Sequence, residues 1–335
     1  MVSNMMKNQS IQVPEATPDA PIIVAAFYKF VALPDFEALQ PKLQTMAQKA
    51  GLVGTILLAK EGLNGTICGT QAGLQQVMDY FAQAPRFRDI SPKFSFAETA
   101  AFHRMKVRLK SEIVSMGQPD IDPIGDVGAY VKPEDWNALI EQDDTLVIDT
   151  RNNYEVAIGS FAGALDPATS SFREFPDWVD GYLAGLKDQE KPKNIAMFCT
   201  GGIRCEKATA YLVGKGFDNI FHLEGGILKY LETVPEAQSQ WQGDCFVFDQ
   251  RVSVKHGLVE GDYDMCHACR MPLTQAETQN PAYEAGVACH HCVGQHSEVD
   301  RERFRERKKQ IKLARQRGQA HIGPADVGEE QKTDD

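Results

Sequence analysis

Phe198-Cys199-Thr200-Gly201-Gly202-Ile203-Arg204-Cys205 closes the apolar run Ile195-Ala196-Met197-Phe198 and opens a helical stretch, Glu206 to Lys215, that stops near Gly216. A short uninterrupted apolar run of this kind reads as a buried parallel strand. Cys199 therefore stands at a strand end where a helix begins. Gly201 and Gly202 allow consecutive backbone N–H groups to turn toward one point, and the helix N-terminus adds partial positive charge there. A thiol in such a cradle ionises well below its free pKa of about 8.5. The alternative, an inert buried cysteine, leaves the two glycines and Arg204 without a purpose.

The same alternation continues on either side of the loop. Lys132 to Glu141 is helical with Pro133 in its first turn, and Leu146-Val147-Ile148 is an apolar strand ending in Asp149-Thr150-Arg151. Helices over Glu174–Leu186 and Ile203–Lys215 alternate with strands Ile195–Phe198 and Ile220–Leu223. This order implies a doubly wound α/β domain, a parallel sheet with helices on both faces, whose ligands bind at the carboxyl ends of the strands.

Upstream, strand Ile22–Phe30, helix Pro34–Ala50, strands Val53–Ala59 and Gly62–Cys68, helix Gln71–Phe81 and strand Lys93–Ala97 make the order βαββαβ, the split ferredoxin-like arrangement. In the link Lys60-Glu61-Gly62-Leu63-Asn64-Gly65, Glu61 and Asn64 either shape the turn or contact a substrate. Lys106, Arg108 and Lys110 alternate with Val107 and Leu109, a strand with one charged face suited to RNA or to water. The expected organisation is a flexible leader (1–19), the ferredoxin-like domain (20–116), a Pro/Gly linker (117–128), the parallel-sheet domain (129–240), a cysteine-rich module (241–299) and a tail (300–335).

Cys266-His267-Ala268-Cys269 and Cys289-His290-His291-Cys292 are two C-x2-C knuckles separated by 19 residues. That spacing suits a zinc-ribbon-like module in which all four ligands are sulfur, so the zinc would be structural. Disulfides or free thiols are the other readings. Cys68 and Cys245 read as ordinary buried cysteines. The net charge of −11 argues against nucleic acid, but Arg301 to Arg317 holds nine Lys or Arg against two Glu, or +7, which leaves −18 for the rest of the chain. So dense a basic segment suits a phosphate backbone or a solvated helix. Asp326 to Asp335 is acidic. No run approaches the roughly 18 apolar residues of a membrane span, and Met1 to Ser10 lacks the apolar centre of a secretory signal, so a cytoplasmic location with no membrane partner is expected.

Asp149-Thr150-Arg151 with Glu155, Gly159 and Gly163-Ala164, the loop Cys199 to Arg204, and Leu223-Glu224-Gly225-Gly226 together resemble the three signature regions of a rhodanese domain. In that family the loop cysteine carries a persulfide held by backbone N–H groups; Ser160 departs from it where many members have histidine. A wider resemblance, carried by Tyr28-Lys29-Phe30, Ala59 to Thr66, Met105-Lys106-Val107 and Cys199 to Lys207, is to the tRNA uridine(34) hydroxylase family, and it extends to about Cys292. It implies oxygen-dependent hydroxylation of the wobble uridine at C5 to give 5-hydroxyuridine. Cys199 would be the catalytic residue, as thiolate or persulfide, molecular oxygen the co-substrate and the tRNA anticodon loop the partner; no protein partner is implied.

The other site residues keep two readings each. Arg204 orients the base or its phosphate, or holds the loop through backbone carbonyls; Asp149 and Arg151 brace the loop. Cys205 resolves a disulfide with Cys199 or packs beneath it. Three competing functions remain: a thiosulfate sulfurtransferase, a cysteine phosphatase and a binding module with a dead rhodanese domain. A phosphatase loop runs C-x5-R, one residue longer than Cys199 to Arg204, and a dead domain is expected to lack the cysteine.

Overall fold

A computed structural model of the chain describes residues 11–118, 121–187, 189 and 191–317. The amino-terminal domain runs β1 (Ile22–Phe30), α1 (Phe36–Lys49), β2 (Val53–Ala59), β3 (Gly62–Gly69), α2 (Gln71–Gln83) and β4 (Lys93–Ala97), the expected order, and adds β5 (Met105–Leu109). The sheet order is β4-β1-β3-β2-β5, with β5 parallel to β2 at the edge. Leu39, Leu43 and Ala47 on α1 and Leu74, Val77, Met78 and Phe81 on α2 recur at helical spacing and bury against one sheet face. Thr70 starts α2 by accepting a hydrogen bond from the Gly73 N–H at 3.2 Å.

Strand alternation then decides what the other face carries. Ile23, Ala25 and Phe27 enter the helix-covered core, so Val24, Ala26 and Tyr28 point the opposite way. Register places Asn64 beside Tyr28, Thr66 beside Ala26, Thr55 beside Thr66 and Lys93 beside Ala26 on that second face. Lys106 and Arg108 pair with Thr55 and Leu57, so the charged face of β5 lies on this side too.

The central domain contains β6 (Ala129–Val131), α3 (Pro133–Ile140), β7 (Thr145–Asp149), α4 (Asn153–Val156), β8 (Gly159–Phe161), α5 (Phe175–Gly185), β9 (Asn194–Phe198), α6 (Ile203–Gly214), β10 (Ile220–Leu223) and α7 (Gly226–Thr233). Its sheet, in the order β6-β10-β9-β7, is parallel throughout. Ala196 and Phe198 pack with Trp136 of α3 and Tyr230 of α7, whereas Ile195 and Met197 pack with Val179 of α5 and Leu212 of α6. Burial on both faces explains the unbroken apolar runs.

Two stretches differ from the sequence expectation. Val13, within the expected leader, is only 4% exposed and packs into the amino-terminal core. Gln75 accepts from its N–H at 3.0 Å and donates to the Ile11 carbonyl at 2.8 Å, so α2 orders a segment whose two prolines and polar residues suggested flexibility. Met1 to Ser10 lie outside the described residues, as do Pro119 and Asp120 of the expected linker.

The second difference concerns residues 241–258, grouped above with the cysteines. β11 (Trp241–Gly243) pairs with β8, and the hairpin β12 (Cys245–Phe246) and β13 (Ser253–Val254) follows. Trp241, Cys245, Val247, Val254 and Leu258 join Phe161 and Phe198 in the central core. Strands of two or three residues carry too little periodicity to reveal that. The cysteine module begins at β14 (Asp264–Met265), which pairs with β15 (Pro272–Leu273). α8 (Glu298–Gln316) follows it, and Arg305 binds Glu284 of the module at 2.8 and 2.9 Å. The acidic end of the chain lies outside the described residues.

Candidate active site

β9 delivers Cys199 and α6 begins at Ile203, so the loop between them is only Thr200, Gly201 and Gly202. Gly202 adopts φ +101°, which turns its N–H onto Cys199 Sγ at 3.1 Å. A Cβ at Gly202 would lie 2.8 Å from the Tyr28 hydroxyl of the other domain, so close approach also requires glycine. Behind the loop, Gly226 lets the start of α7 come near; there a Cβ would lie 2.5 Å from the Cys199 carbonyl oxygen. Ile227 N–H donates to that carbonyl at 3.0 Å and Leu228 N–H to the Thr200 carbonyl at 3.1 Å.

Cys199 is fully buried. Burial alone would raise its pKa, but the Cys205 thiol, the Arg204 guanidinium and the N–H groups of Cys205 and Gly202 outweigh it and hold Cys199 well below the usual thiol range. Cys205 moves the other way, pushed up by burial and by the neighbouring Cys199 sulfur. It is thus the proton-bearing partner, with its sulfur 3.6 Å from Thr150 Oγ1 beneath the loop. The expected result is an iodoacetamide alkylation rate at Cys199 that stays nearly flat from about pH 7 to 8.5, where an ordinary thiol of pKa about 8.5 gains close to tenfold per unit at the low end. A rise of roughly fifteenfold across that window, read by peptide mass spectrometry, would show that the cradle does not ionise the thiol.

One expected role of Arg204 needs correction. Its guanidinium holds the loop through side chains and not through backbone carbonyls: it forms a two-point ion pair with Glu155 at 2.6 and 2.7 Å. Glu155 is fully buried, and although burial raises its pKa, Arg204 and then Arg151 bring it below the usual carboxylate value. Thr200 donates to the same carboxylate at 3.2 Å. Asp149 and Arg151 form a second buried pair at 2.6 Å under the loop, and Ser160 donates to Asp149 at 2.8 Å. Here Ser160 is a short neutral donor where rhodaneses often place histidine.

Above Cys199 lies a cavity of about 530 Å³ between the domains. Cys199, Gly201, Ile203 and Arg204 form one wall; Ala26, Tyr28, Thr55, Asn64 and Thr66, from the second face of the amino-terminal sheet, form the opposite one; Phe248 and Arg251 complete it. Polar contacts fix the two walls together. Tyr28 donates to Glu206 at 2.6 Å, and Lys93 donates to the Gly201 carbonyl at 2.9 Å. Burial lowers Lys93 to about 8, opposed by the charges of Cys199 and Glu206.

Glu61 joins this interface. It accepts from the Ile113 N–H at 2.6 Å and pairs at 2.9 Å with Lys207 of α6, which also pairs with Glu112 at 2.7 Å. Asn64 donates to the Ile113 carbonyl at 3.0 Å and lines the cavity. Sequence reasoning missed Lys93, Glu206 and Phe248 as site residues. Lys93 and Phe248 carried no local signal, whereas Tyr28, Glu206 and Lys207 fell within the stretches that carried the family resemblance.

The four cysteines converge elsewhere. The sulfurs of Cys266 and Cys292 are 3.9 Å apart, those of Cys269 and Cys289 3.6 Å, and those of Cys289 and Cys292 3.8 Å. A tetrahedron with metal–sulfur bonds of about 2.3 Å has edges of about 3.8 Å, whereas a disulfide requires about 2.05 Å. The set is therefore shaped to hold one tetrahedral cation. No helix among the described residues is long and apolar enough to cross a membrane.

Comparison with known proteins agrees with this architecture. Residues 22–113 match the family described as the UPF0176 acylphosphatase like domain, and residues 132–233 match the rhodanese-like domain. The chain is 57% identical over 307 residues, 92% of its length and 98% of the relative's, to a protein named tRNA uridine(34) hydroxylase from Rhizobium leguminosarum bv. trifolii. It is 56% identical to the protein of that name from Agrobacterium fabrum, covering 92% of this chain and 97% of the relative. For the one from Mesorhizobium japonicum the figures are 54% identity, 92% of this chain and 99% of the relative. With more than half of its residues identical and near-complete coverage on both sides, the chain belongs to the tRNA uridine(34) hydroxylase family.

Proposed function

We propose that the protein hydroxylates C5 of the wobble uridine of tRNA, giving 5-hydroxyuridine, with molecular oxygen as co-substrate and Cys199 as the reacting residue. The observation that carries this reading is the roof over the loop: a sheet face from a second domain closes Cys199 into a cavity of about 530 Å³. That volume falls in the range of about 300–1,000 Å³ usual for small-molecule sites. Sulfur transfer from thiosulfate requires only the loop, so the roof favours a larger substrate over the sulfurtransferase reading. C5 of uracil becomes nucleophilic when a sulfur nucleophile, thiolate or persulfide, adds at C6 and gives C5 enolate character. An anticodon loop supplies an unpaired base that can leave its stack at small cost.

Positive charge supports the RNA reading. Lys106 and Arg108 share the sheet face that roofs the cavity. The Lys106 ammonium is lowered by burial and then by the neighbouring cations Arg104 and Arg108, the signature of an unneutralised basic edge. Together with α8 it would hold phosphates along the loop. The test is purified protein with an unmodified anticodon stem-loop, read by nucleoside mass spectrometry: 5-hydroxyuridine should form in air and not under argon. None in air, with reductant supplied, would overturn the reading.

The four cysteines are assigned one structural zinc, and the reduced state such a site needs fits the cytoplasm. Metal analysis should find about one equivalent of zinc per chain. Stripping it with a chelator should lower the melting temperature without changing the Cys199 alkylation rate. Metal-free protein with unaltered stability would count against a metal site.

A further inference from the structure

We propose that Phe248 is the platform on which the target uracil stacks next to Cys199, an inference that rests on the function proposed above. Phe248 is 58% exposed, although Val247 and Phe246 before it are buried, and its ring lines the cavity that contains Cys199. A large exposed aromatic is unremarkable on an open surface. It carries information where it walls a site and is held rigidly there.

Phe248 is held from three sides. Its ring meets Phe246 edge-on at 5.2 Å, and Phe246 meets Tyr154 edge-on at 5.2 Å, so a ladder of aromatic rings supports it from behind. Asp249 and Arg251 clamp the turn that follows, with hydrogen bonds of 2.9 and 2.6 Å. Arg251 also donates to Ser95 Oγ at 2.7 Å, and the Gln250 N–H donates to the Ala101 carbonyl at 3.2 Å, which ties the hairpin to the amino-terminal domain. The Arg204 guanidinium lies 5.8 Å from the ring centre, within cation–π range. Its charge is matched by Glu155, so this guanidinium is not free to draw phosphate onto the ring.

The hairpin thus offers a fixed, half-open aromatic face in the wall of the cavity that contains Cys199. Stacking of a base on an aromatic side chain is tolerant of sequence and pre-organised at low entropy cost. This division leaves phosphate contacts to the basic edge and base contact to Phe248.

The test uses the full-length protein and a uridine-34 anticodon stem-loop. Phe248→Ala should lower kcat/KM about 10–100-fold, with RNA affinity falling in parallel, while the Cys199 alkylation rate stays at the wild-type value and shows an intact loop. Phe248→Trp should restore most of the loss and Phe248→Leu should not. RNA abasic at position 34 should bind wild-type and Phe248→Ala protein equally. Phe217→Ala, an exposed aromatic after α6, should change nothing. Equal kcat/KM in Phe248→Ala, full rescue by leucine, or an effect that persists on abasic RNA would each overturn the stacking role. If wild-type protein forms no 5-hydroxyuridine, the proposed function fails, and the affinity measurements still decide whether Phe248 stacks the base.

Discussion

Replacing Cys199 by alanine should reduce 5-hydroxyuridine formation about 10³–10⁶-fold, to background, with little change in melting temperature. The sulfur is the strongest nucleophile among the loop residues that line the cavity, and its ionised form is set by contacts made to that atom: the Gly202 N–H at 3.1 Å, the Cys205 thiol and the Arg204 charge. Alanine removes the reacting atom. It leaves in place the carbonyl contacts with α7 and the Glu155–Arg204 pair, which hold the loop. Serine should be nearly as inactive, because its hydroxyl fits the space and stays neutral at pH 7. Cys205→Ala separates the two sulfurs: it should keep the product and shift the alkylation profile of Cys199 toward higher pH, since one donor to the thiolate is lost. Nucleoside mass spectrometry with purified variants decides the matter. A Cys199→Ala protein that retains more than a tenth of wild-type activity would remove this residue from the chemistry.

Glu155→Gln should be the most destabilising single change in the site, by about 3–5 kcal/mol, because it leaves the Arg204 charge buried without its partner. Arg204 is 6% exposed and Glu155 is fully buried, so water cannot take the place of the carboxylate. Arg204→Met should cost a similar amount for the mirror-image reason. Combining Glu155→Gln with Arg204→Met should cost much less than the sum, since neither side chain then leaves an unpaired buried charge. The pH dependence follows from the direction of the shift. Glu155 is depressed in the folded state, so its contribution is complete above the unfolded carboxyl value of about 4.3 and is lost as pH falls through the folded value. Urea unfolding of the three variants near neutral pH checks this, and additive losses in the double variant would contradict it.

Much of this molecule was legible from local pattern. The strand and helix order of both domains follows from where apolar residues recur with period two, with helical period or without a break, and those periods are short-range properties of the chain. Cys199, its glycines and the C-x2-C knuckles were legible because a loop or a chelate of few residues constrains its own composition. Val13 and the segment from Trp241 to Leu258 were not, because each is short and is ordered by partners far away in sequence. Arg204 was placed on the loop correctly, but of its two readings the one that tied it to loop carbonyls overlooked Glu155, 49 residues earlier.

The sequence by itself determined the two folds, the place of Cys199 at a strand-to-helix junction and its loop length, and the paired C-x2-C knuckles, since spacing along the backbone dictates each of them. Tertiary structure alone decided that the second face of the amino-terminal sheet closes over Cys199. That closure depends on contacts such as Tyr28 with Glu206, 178 residues apart, and Lys93 with the Gly201 carbonyl, 108 residues apart. Contacts at such separation leave no trace in local periodicity, because they join residues of two different domains that no short-range repeat of the chain relates.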